Sequence, residues 1–349
     1  MFPMKNTILV AASALALSAC GSGSSGGGAR DHLRVVGSST VYPFASLIAE
    51  NTVKAAGIKA PVIESTGTGA GMKLFCAGVG IAHPDVEMAS RRMKASEYED
   101  CAKNGVKDVV EIQIGLDGIA FAEATGGQDM KLSVADIYKA LAANPFGKPN
   151  TAKNWNDVNP ALPANPISVY GPPSTSGTRD ALAELILTKG CESDPAMKAL
   201  KDSDKDKHKK LCTEVRTDGA YVEQGENDNL IVQKLAANPG TIGVMGYSYV
   251  EENPGKLNPV MLNGVMPSTE SIRTFRYPGS RPMYIYVKNA HLKAIPGIRA
   301  FAAEFVREGT FGNGGYLQRL GLVPLGDGIR KRNQSMATSM TPMGGGGLK

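Results

Sequence analysis

The stretch VYGPPSTSGTRDALAELI, residues 169–186, joins a β-branched run to an apolar-periodic run through a short polar turn. Val169 and Tyr170 are typical of a strand, and the apolar spacing after Asp180 is typical of a helix. Hydroxyls and a glycine therefore collect where a helix begins and its first N–H groups lack partners. Such a turn favours an anion, because those N–H groups and the helix dipole both point positive charge at the site.

Two other segments have the same composition. GSSTVYPF (37–44) and STGTGAGMK (65–73) each follow a predicted strand and open a predicted helix. Serine and threonine cap helices in many proteins, so one such turn by itself indicates little. In an open parallel sheet, however, the ligand crevice lies at the carboxyl ends of the strands. Three such turns therefore predict one anion crevice at a sheet edge.

Short strand patterns alternate with helical patterns along the chain, which predicts an α/β fold with a mostly parallel sheet. Separate strands are expected at 109–114 and 118–124, and a further apolar strand at 281–289. The 349 residues are enough for two domains of ordinary size. The polar, Met- and Gly-rich segment 331–349 is expected to be a disordered tail.

Composition excludes several classes of function. Apolar residues make up 42% and the net charge is only +5, with no dense basic stripe, so nucleic acid is not expected as a partner. Scattered histidines and the lack of a CxxC pair predict no metal site. No complete P-loop or dinucleotide fingerprint is present, so no cofactor is expected. Without a GxSxG elbow an enzyme is not expected, although a hydrolase that takes its histidine from elsewhere in the fold stays open.

The N-terminus has the pattern of an export signal. Lys5 precedes an apolar run at 7–17 that is too short to span a bilayer. The LSAC string at 17–20 resembles the lipobox of bacterial lipoproteins. Residues 1–19 are therefore predicted to be a lipoprotein signal peptide, with Cys20 as the lipidated residue. Residues 20–30, which include a Gly/Ser run, are predicted to be a flexible tether; an ordinary signal peptide with Cys20 there by chance is the alternative.

Four cysteines remain after Cys20, and an even number in an exported chain suggests two disulfides. Three pairings are possible. The sequential pairing, Cys76–Cys101 and Cys191–Cys212, is preferred because each pair brackets its own local insertion and closes a short loop.

Several of these segments together resemble one known family. VVGSSTVYPFA, ESTGTGAGMKLF, YGPPSTSGTRDA and NPGTIGVMGYSYV look like the phosphate-binding proteins of bacterial phosphate ABC transporters, the PstS family, and the likeness runs over residues 34–325. The resemblance implies a two-lobed periplasmic binding protein fold, with a mostly parallel sheet flanked by helices in each lobe and the ligand in the interlobe cleft. Domain I is expected at 31–119 plus 282–330, and domain II at 120–281.

The resemblance also implies ligand residues in each turn. The first turn supplies the Thr40 hydroxyl and the Val41 N–H, the second supplies the Thr68 hydroxyl, and the third supplies the Ser-Gly-Thr motif at 176–178. The full set of candidate ligand residues is Ser39, Thr40, Val41, Thr68, Gly69, Arg91, Ser176, Gly177, Thr178, Arg179 and Asp228.

Two positions depart from the family pattern. The best-known members have an aspartate where this chain has Arg91, and an arginine where it has Pro172. The carboxylate matters because phosphate carries a proton that sulfate lacks, and a buried acceptor rejects a fully ionised anion. We expect Arg91 and Arg179 to pair the anion in place of the lost arginine. Asp228 or Asp180 is expected to replace the lost carboxylate, although Asp180 could instead orient Arg179 or cap its helix.

The expected function is that of an extracytoplasmic receptor, which captures inorganic phosphate between two lobes and delivers it to the membrane permease of an ABC transporter. The protein is expected in the periplasm or at the cell surface, attached to the membrane through Cys20, and as a monomer. One alternative is a receptor of the same fold for sulfate or another tetrahedral oxyanion. Others are an exported hydrolase or phosphoryl-transfer enzyme, and a surface attachment protein.

Overall fold

A computed structural model describes residues 30–174, 176–225 and 228–348. The predicted signal peptide, Cys20 and nearly all of the predicted tether lie outside these described residues. The strands are β1 Arg34–Gly37, β2 Val62–Ser65, β3 Val86–Ala89, β4 Val109–Ala124, β5 Lys131–Leu132, β6 Val169–Gly171, β7 Tyr221–Glu223, β8 Ile242–Gly246, β9 Leu257–Pro259, β10 Met261–Leu262 and β11 Ser280–Lys288.

The α-helices are α1 Tyr42–Ala56, α2 Thr68–Phe75, α3 Ala95–Lys103, α4 Val134–Leu141, α5 Trp155–Val158, α6 Gly177–Ala181, α7 Thr188–Cys191, α8 Pro195–Ser203, α9 Lys205–Thr213, α10 Asn229–Ala237, α11 Tyr247–Glu251, α12 Thr269–Arg273, α13 Ile298–Phe305, α14 Glu308–Phe311 and α15 Asp327–Ser339. A π-helix, Leu182–Leu187, joins α6 to α7, and short 3₁₀ turns lie at Pro145–Gly147, Asn289–His291 and Tyr316–Leu320.

Nine strands form one curled sheet in the order β2-β1-β3-β11-β4-β8-β6-β7, with β9 also paired to β4. At one end β1 pairs in parallel with β2 and β3, and at the other end β6 pairs in parallel with β7 and β8. The central strands β4 and β11 run antiparallel to their neighbours. The α/β fold with two largely parallel units, predicted from the alternating pattern, is confirmed.

Strand β4 joins the two lobes. Its first half pairs with β11 as far as Gly118, and its second half pairs with β8 from Ile119 onward. The prediction of two separate strands here is wrong, because no turn interrupts the 16 residues of β4. Glycine in a strand can also mark close packing, and the side chains of Leu322 and Ile272 occupy the space that a Cβ on Gly115 or Gly118 would need.

Both predicted disulfides are present. Cys76–Cys101 ties the end of α2 to α3, and Cys191–Cys212 ties α7 to α9. The sequential pairing is therefore confirmed.

The C-terminal segment is ordered in the structure, contrary to the expectation for 331–349. Helix α15 continues to Ser339, and the segment after it packs on the first lobe, where the Met343 N–H donates to the Val109 carbonyl at 2.7 Å. Met343 joins a buried cluster that includes Phe75 and Tyr286. The segment looked polar by composition, but its methionines supply apolar contacts that hold it to the sheet.

Within the described ranges, no helix combines the length and the apolar character needed to cross a bilayer.

Replacement of Met343 tests whether the C-terminal segment is packed. Met343 is 8% exposed, so Met343→Ala should lower the free energy of unfolding by about 2 kcal/mol through lost burial. Met266, which is 44% exposed, is the matched control, and Met266→Ala should leave the unfolding midpoint in urea unchanged. Equal midpoints for both variants would show that the segment does not pack.

Candidate functional site

A cavity of about 520 Å³ lies between the lobes at the carboxyl ends of the parallel strands. Six of the predicted ligand residues line it, namely Ser39, Thr40, Ser176, Gly177, Thr178 and Asp228. The rest of its polar lining comes from Tyr42, Ser65, Asp117, Ser248 and Tyr249. The turns after β1 and β6, which are far apart in the sequence, are thus brought together as the sequence predicts.

The first turn needs a glycine at its start. Gly37, the last residue of β1, has φ 128°, and a Cβ there would lie 2.2 Å from the Met88 carbonyl oxygen. Helix α1 then begins with Val41 at its N-cap and no side-chain cap. Uncapped first-turn N–H groups are the donors that anions find at helix starts.

Two hydrogen bonds fix the backbone of the third turn. The Tyr221 hydroxyl donates to the Pro172 carbonyl oxygen at 2.7 Å, and the Ser176 hydroxyl accepts from the Thr178 N–H at 3.2 Å. Ser176 therefore caps α6, while the Thr178 side chain lines the cavity. Fixing the backbone before the ligand arrives lowers the entropy cost of binding.

The first and third turns meet directly across the cleft. The Ser39 hydroxyl donates to Asp180 Oδ2 at 2.6 Å, and the Thr40 hydroxyl donates to the Gly177 carbonyl oxygen at 3.3 Å. A Cβ on Gly177 would lie 2.6 Å from the Thr40 Cα, so only glycine permits this approach. These contacts define a closed arrangement of the two lobes.

The second turn contacts the next strand instead of the cavity. Thr68 Oγ1 accepts from the Ser90 N–H at 3.1 Å and lies 3.2 Å from the Ser90 hydroxyl. Neither Thr68 nor Gly69 is among the residues that line the cavity, and the Val41 side chain is buried in the core. In this arrangement the turn is hydrogen-bonded to the end of β3, and its contact with the ligand stays a prediction.

Arg91 forms an ion pair within the structure, and its expected contact with the anion stays a prediction. Its two terminal nitrogens donate to the Glu97 carboxylate at 2.9 and 2.7 Å. Burial raises the pKa of Glu97, but the hydrogen bonds from Arg91 and from the Lys94 N–H outweigh it and hold that pKa below its usual value. The sequence could not reveal this pair, because the partner lies on a helix whose orientation depends on tertiary packing.

Arg179 also has a local partner. Its guanidinium carbon lies 4.6 Å from the centre of the Tyr221 ring, and Nη1 is 4.0 Å from Glu223 Oε1. Burial raises the pKa of Tyr221 to about 12, although Arg179 opposes the shift. Arg179 does not line the cavity, and Asp180 bonds to Ser39 instead of to Arg179. The pairing of Arg179 with the anion stays a prediction.

Asp228 occupies the position expected of a site carboxylate. It is buried, it lines the cavity, and its Oδ2 accepts from the Gly246 N–H at 2.9 Å. Burial raises the pKa of Tyr249 beside it, and the Asp228 charge raises it further. The role of Asp228 as an acceptor for the phosphate proton stays a prediction.

Arg281 is a residue at the contact between the two turns that the sequence reasoning missed. It is 2% exposed on β11, where Asp117 on β4 is its cross-strand partner, and its Nε donates to Asp117 Oδ2 at 2.9 Å. Its Nη2 donates to the Thr40 hydroxyl and, at 2.9 Å, to the Gly177 carbonyl oxygen. The available signal was an arginine at the start of an otherwise apolar strand, since buried charges need partners.

A second buried ionisable group lies behind the turns. Burial raises the pKa of Glu87 well above its usual value, with Glu97 adding to the shift and Arg91 opposing it. The carboxyl group packs against Gly37 and Gly71, whose missing side chains leave room for it. A raised pKa favours the neutral form, so Glu87 places little negative charge behind the anion turns.

Two α/β lobes that close on a cleft of hydroxyl groups and helix starts define a two-lobed substrate-binding protein. In agreement, residues 22–308 match the PBP superfamily domain.

Two curated relatives are similar over most of the chain. Protein SphX of Synechococcus elongatus is 31% identical, over 83% of this chain and 76% of that protein. The phosphate-binding protein PstS of Staphylococcus haemolyticus is 30% identical, over 84% of each chain. A crystal structure of a possible phosphate-binding protein from Planctomyces limnophilus superimposes with a TM-score of 0.70 at 26% identity, over 88% of this chain and 98% of that one. The chain belongs to the PstS family of phosphate-binding proteins.

Gly177→Ala tests the closed contact between the turns. The added methyl group would collide with the Thr40 backbone, so the lobes should not close fully and affinity for phosphate should fall by at least about a hundredfold, or about 2.7 kcal/mol. Isothermal titration calorimetry measures the affinity, and Gly255→Ala, where a methyl group meets nothing within 4 Å, is the control. Unchanged affinity in Gly177→Ala would mean that the ligand-bound state lacks this contact.

Proposed function

We propose that the protein is an extracytoplasmic receptor that captures inorganic phosphate between its two lobes and delivers it to an ABC transporter. The observation that carries this proposal is the cavity bounded by the Thr40 turn from one lobe and the Ser176–Thr178 turn from the other. Hydroxyl groups at the starts of two helices are donors, and they suit an oxyanion that leaves its water shell on binding. The names of the relatives support phosphate as that anion.

Closure supplies the binding free energy in this proposal. Each lobe contributes donors, so the anion makes more contacts with the closed state than with the open one and shifts the population toward closure. We assign residues 31–119 plus 282–330 to the first lobe and 120–281 to the second. The change of pairing partner along β4, at Gly118 and Ile119, supports a boundary there.

The proposed ligand contacts differ in part from the family pattern. Thr40, Ser176, Gly177 and Thr178 supply donors, and Asp228 supplies the acceptor for the proton of phosphate. Thr68 and Gly69 do not line the cavity, so they would join these donors only through a local rearrangement on binding.

Two alternatives are weaker. A sulfate receptor of the same fold would need no acceptor, yet Asp117 and Asp228 both line the cavity. An exported hydrolase would need a base beside a cavity serine, and no histidine is among the residues that line the cavity. The Ser39 hydroxyl donates to a carboxylate in the other lobe, a contact that suits lobe closure.

Calorimetric titration of the tether-deleted protein with phosphate, sulfate and arsenate tests the function. Phosphate and arsenate should bind and sulfate should bind much more weakly, because a buried carboxylate repels a fully ionised anion. Asp228→Asn should narrow the ratio of phosphate to sulfate affinity by at least about tenfold.

Asp180→Asn, which removes the other candidate acceptor, should leave that ratio within about twofold of wild type. Tight sulfate binding by the wild type would favour the sulfate receptor instead.

We also propose that the receptor is held at the membrane through lipidated Cys20, in the periplasm or at the cell surface, and acts as a monomer. The LSAC string at 17–20 supports the lipid anchor. Cys20→Ser should release the protein into the soluble fraction without change in phosphate affinity, since the tether is separate from the lobes. Cell fractionation followed by immunoblotting measures the release, and a variant that stays in washed membranes would contradict the anchor.

A further inference from the structure

Arg281 differs from the other arginines near the cleft in what it contacts. Arg91 is bonded to Glu97 within the first lobe, and Arg179 stacks on Tyr221 within the second. Arg281 instead touches a residue of each anion turn, Thr40 in the first lobe and Gly177 in the second. Among these three arginines, only Arg281 therefore bridges the lobes at the anion turns.

A hydrogen bond from Arg281 determines where the Thr40 hydroxyl points its proton. Nη2 donates to Thr40 Oγ1, which makes that oxygen an acceptor and leaves its single O–H free to donate elsewhere. That O–H makes a long contact of 3.3 Å to the Gly177 carbonyl oxygen. Nη2 also donates to this carbonyl at 2.9 Å, so the carbonyl keeps a partner when the Thr40 hydroxyl turns to an anion.

The Asp117 carboxylate fixes the orientation of the guanidinium. Asp117 lies on the neighbouring strand, and its Oδ2 accepts from Nε at 2.9 Å. Nη1 is buried without a hydrogen-bond partner in the described part of the chain. The nearest carboxylate oxygen that approaches Nη1 is Glu184 Oε2, at 3.7 Å, on the π-helix that follows α6. The planar guanidinium of arginine allows Nε and Nη2 to donate to three acceptors at once. The single ammonium group of lysine cannot reproduce this geometry.

We propose that Arg281 is a positioning residue that couples lobe closure to anion binding. It covers the Gly177 carbonyl, which would otherwise present negative charge to the anion, and it turns the Thr40 hydroxyl into a donor for the ligand. The carbonyl comes within its reach only when the second lobe is closed. The inference rests on the proposed function, because the Thr40 hydroxyl is taken to bind phosphate.

A double-mutant cycle on phosphate binding tests the coupling. Arg281→Met should weaken phosphate binding at least about tenfold, and Thr40→Val should do the same. The double variant should be no more than about twofold weaker than the weaker single variant, because both changes remove one linked contact. Arg281→Lys, which keeps a charge beside Asp117, should fold normally and lose affinity by an intermediate factor.

Two controls separate positioning from structural support. Arg216 is also a buried arginine that bonds to an aspartate, Asp218, and to main-chain carbonyls, but it does not line the cavity, so Arg216→Met should leave phosphate affinity within about twofold of wild type. The losses of phosphate affinity in Thr178→Val and Arg281→Met should multiply in the double variant, because Arg281 does not contact Thr178. Urea unfolding of every variant confirms that the affinities refer to folded protein.

The inference fails if folded Arg281→Met or Arg281→Lys binds phosphate as wild type does, or if the losses from Arg281→Met and Thr40→Val multiply. Failure of the proposed function looks different, because the wild type itself then gives no heat with phosphate. In that event the same cycle, run with the anion that the wild type does bind, decides the role of Arg281.

Discussion

Two turns from opposite lobes come into backbone contact at a glycine, and the rest of the cleft depends on this contact. The turn at Gly177 can reach the Thr40 backbone only because residue 177 lacks a Cβ. A small anion can be surrounded by donors from both lobes only if their backbones come this close. Strand β4 pairs with both halves of the sheet, and this pairing keeps the lobes aligned for that approach. Specific closure is thus built into the backbone before any ligand contact is made.

Charge around the cleft is arranged so that few ionised groups face the cavity unpaired. Arg91 and Arg179 are held by partners within their own lobes, and Glu87 is buried under conditions that favour its neutral form. Arg281 is paired with Asp117 across two strands. In the proposed function, the anion is then stabilised mostly by hydroxyl and N–H donors, which are dipoles fixed in place by the fold. Such donors need no counter-ion and lose little entropy when the ligand binds.

The parts of this site that follow from local sequence were predictable, and the parts that follow from packing were not. The Ser-Gly-Thr turn could be read from the sequence because a strand, a glycine and a helix start lie within a few residues. The disulfides followed from cysteine spacing. The partner of Arg281 depends on which strands become neighbours, and that of Arg91 on how α3 packs; no periodic pattern encodes either. The sequence analysis missed the order of the C-terminal segment because its composition is polar. Burial of Met343 against the first lobe nevertheless holds the segment in place.

The loss of the family aspartate at Arg91 does not leave the cleft without acceptors. Asp117 and Asp228 line the cavity, and Asp180 reaches Ser39 from its edge. A carboxylate has two oxygens and about four acceptor sites, so a single N–H or O–H donor uses only part of its capacity. Asp117 is committed to Arg281, and Asp180 to the contact between the lobes, whereas Asp228 accepts from a main-chain N–H of its own lobe. Asp228 is buried and lines the cavity, and this position in the cleft is why we propose it as the acceptor for the phosphate proton.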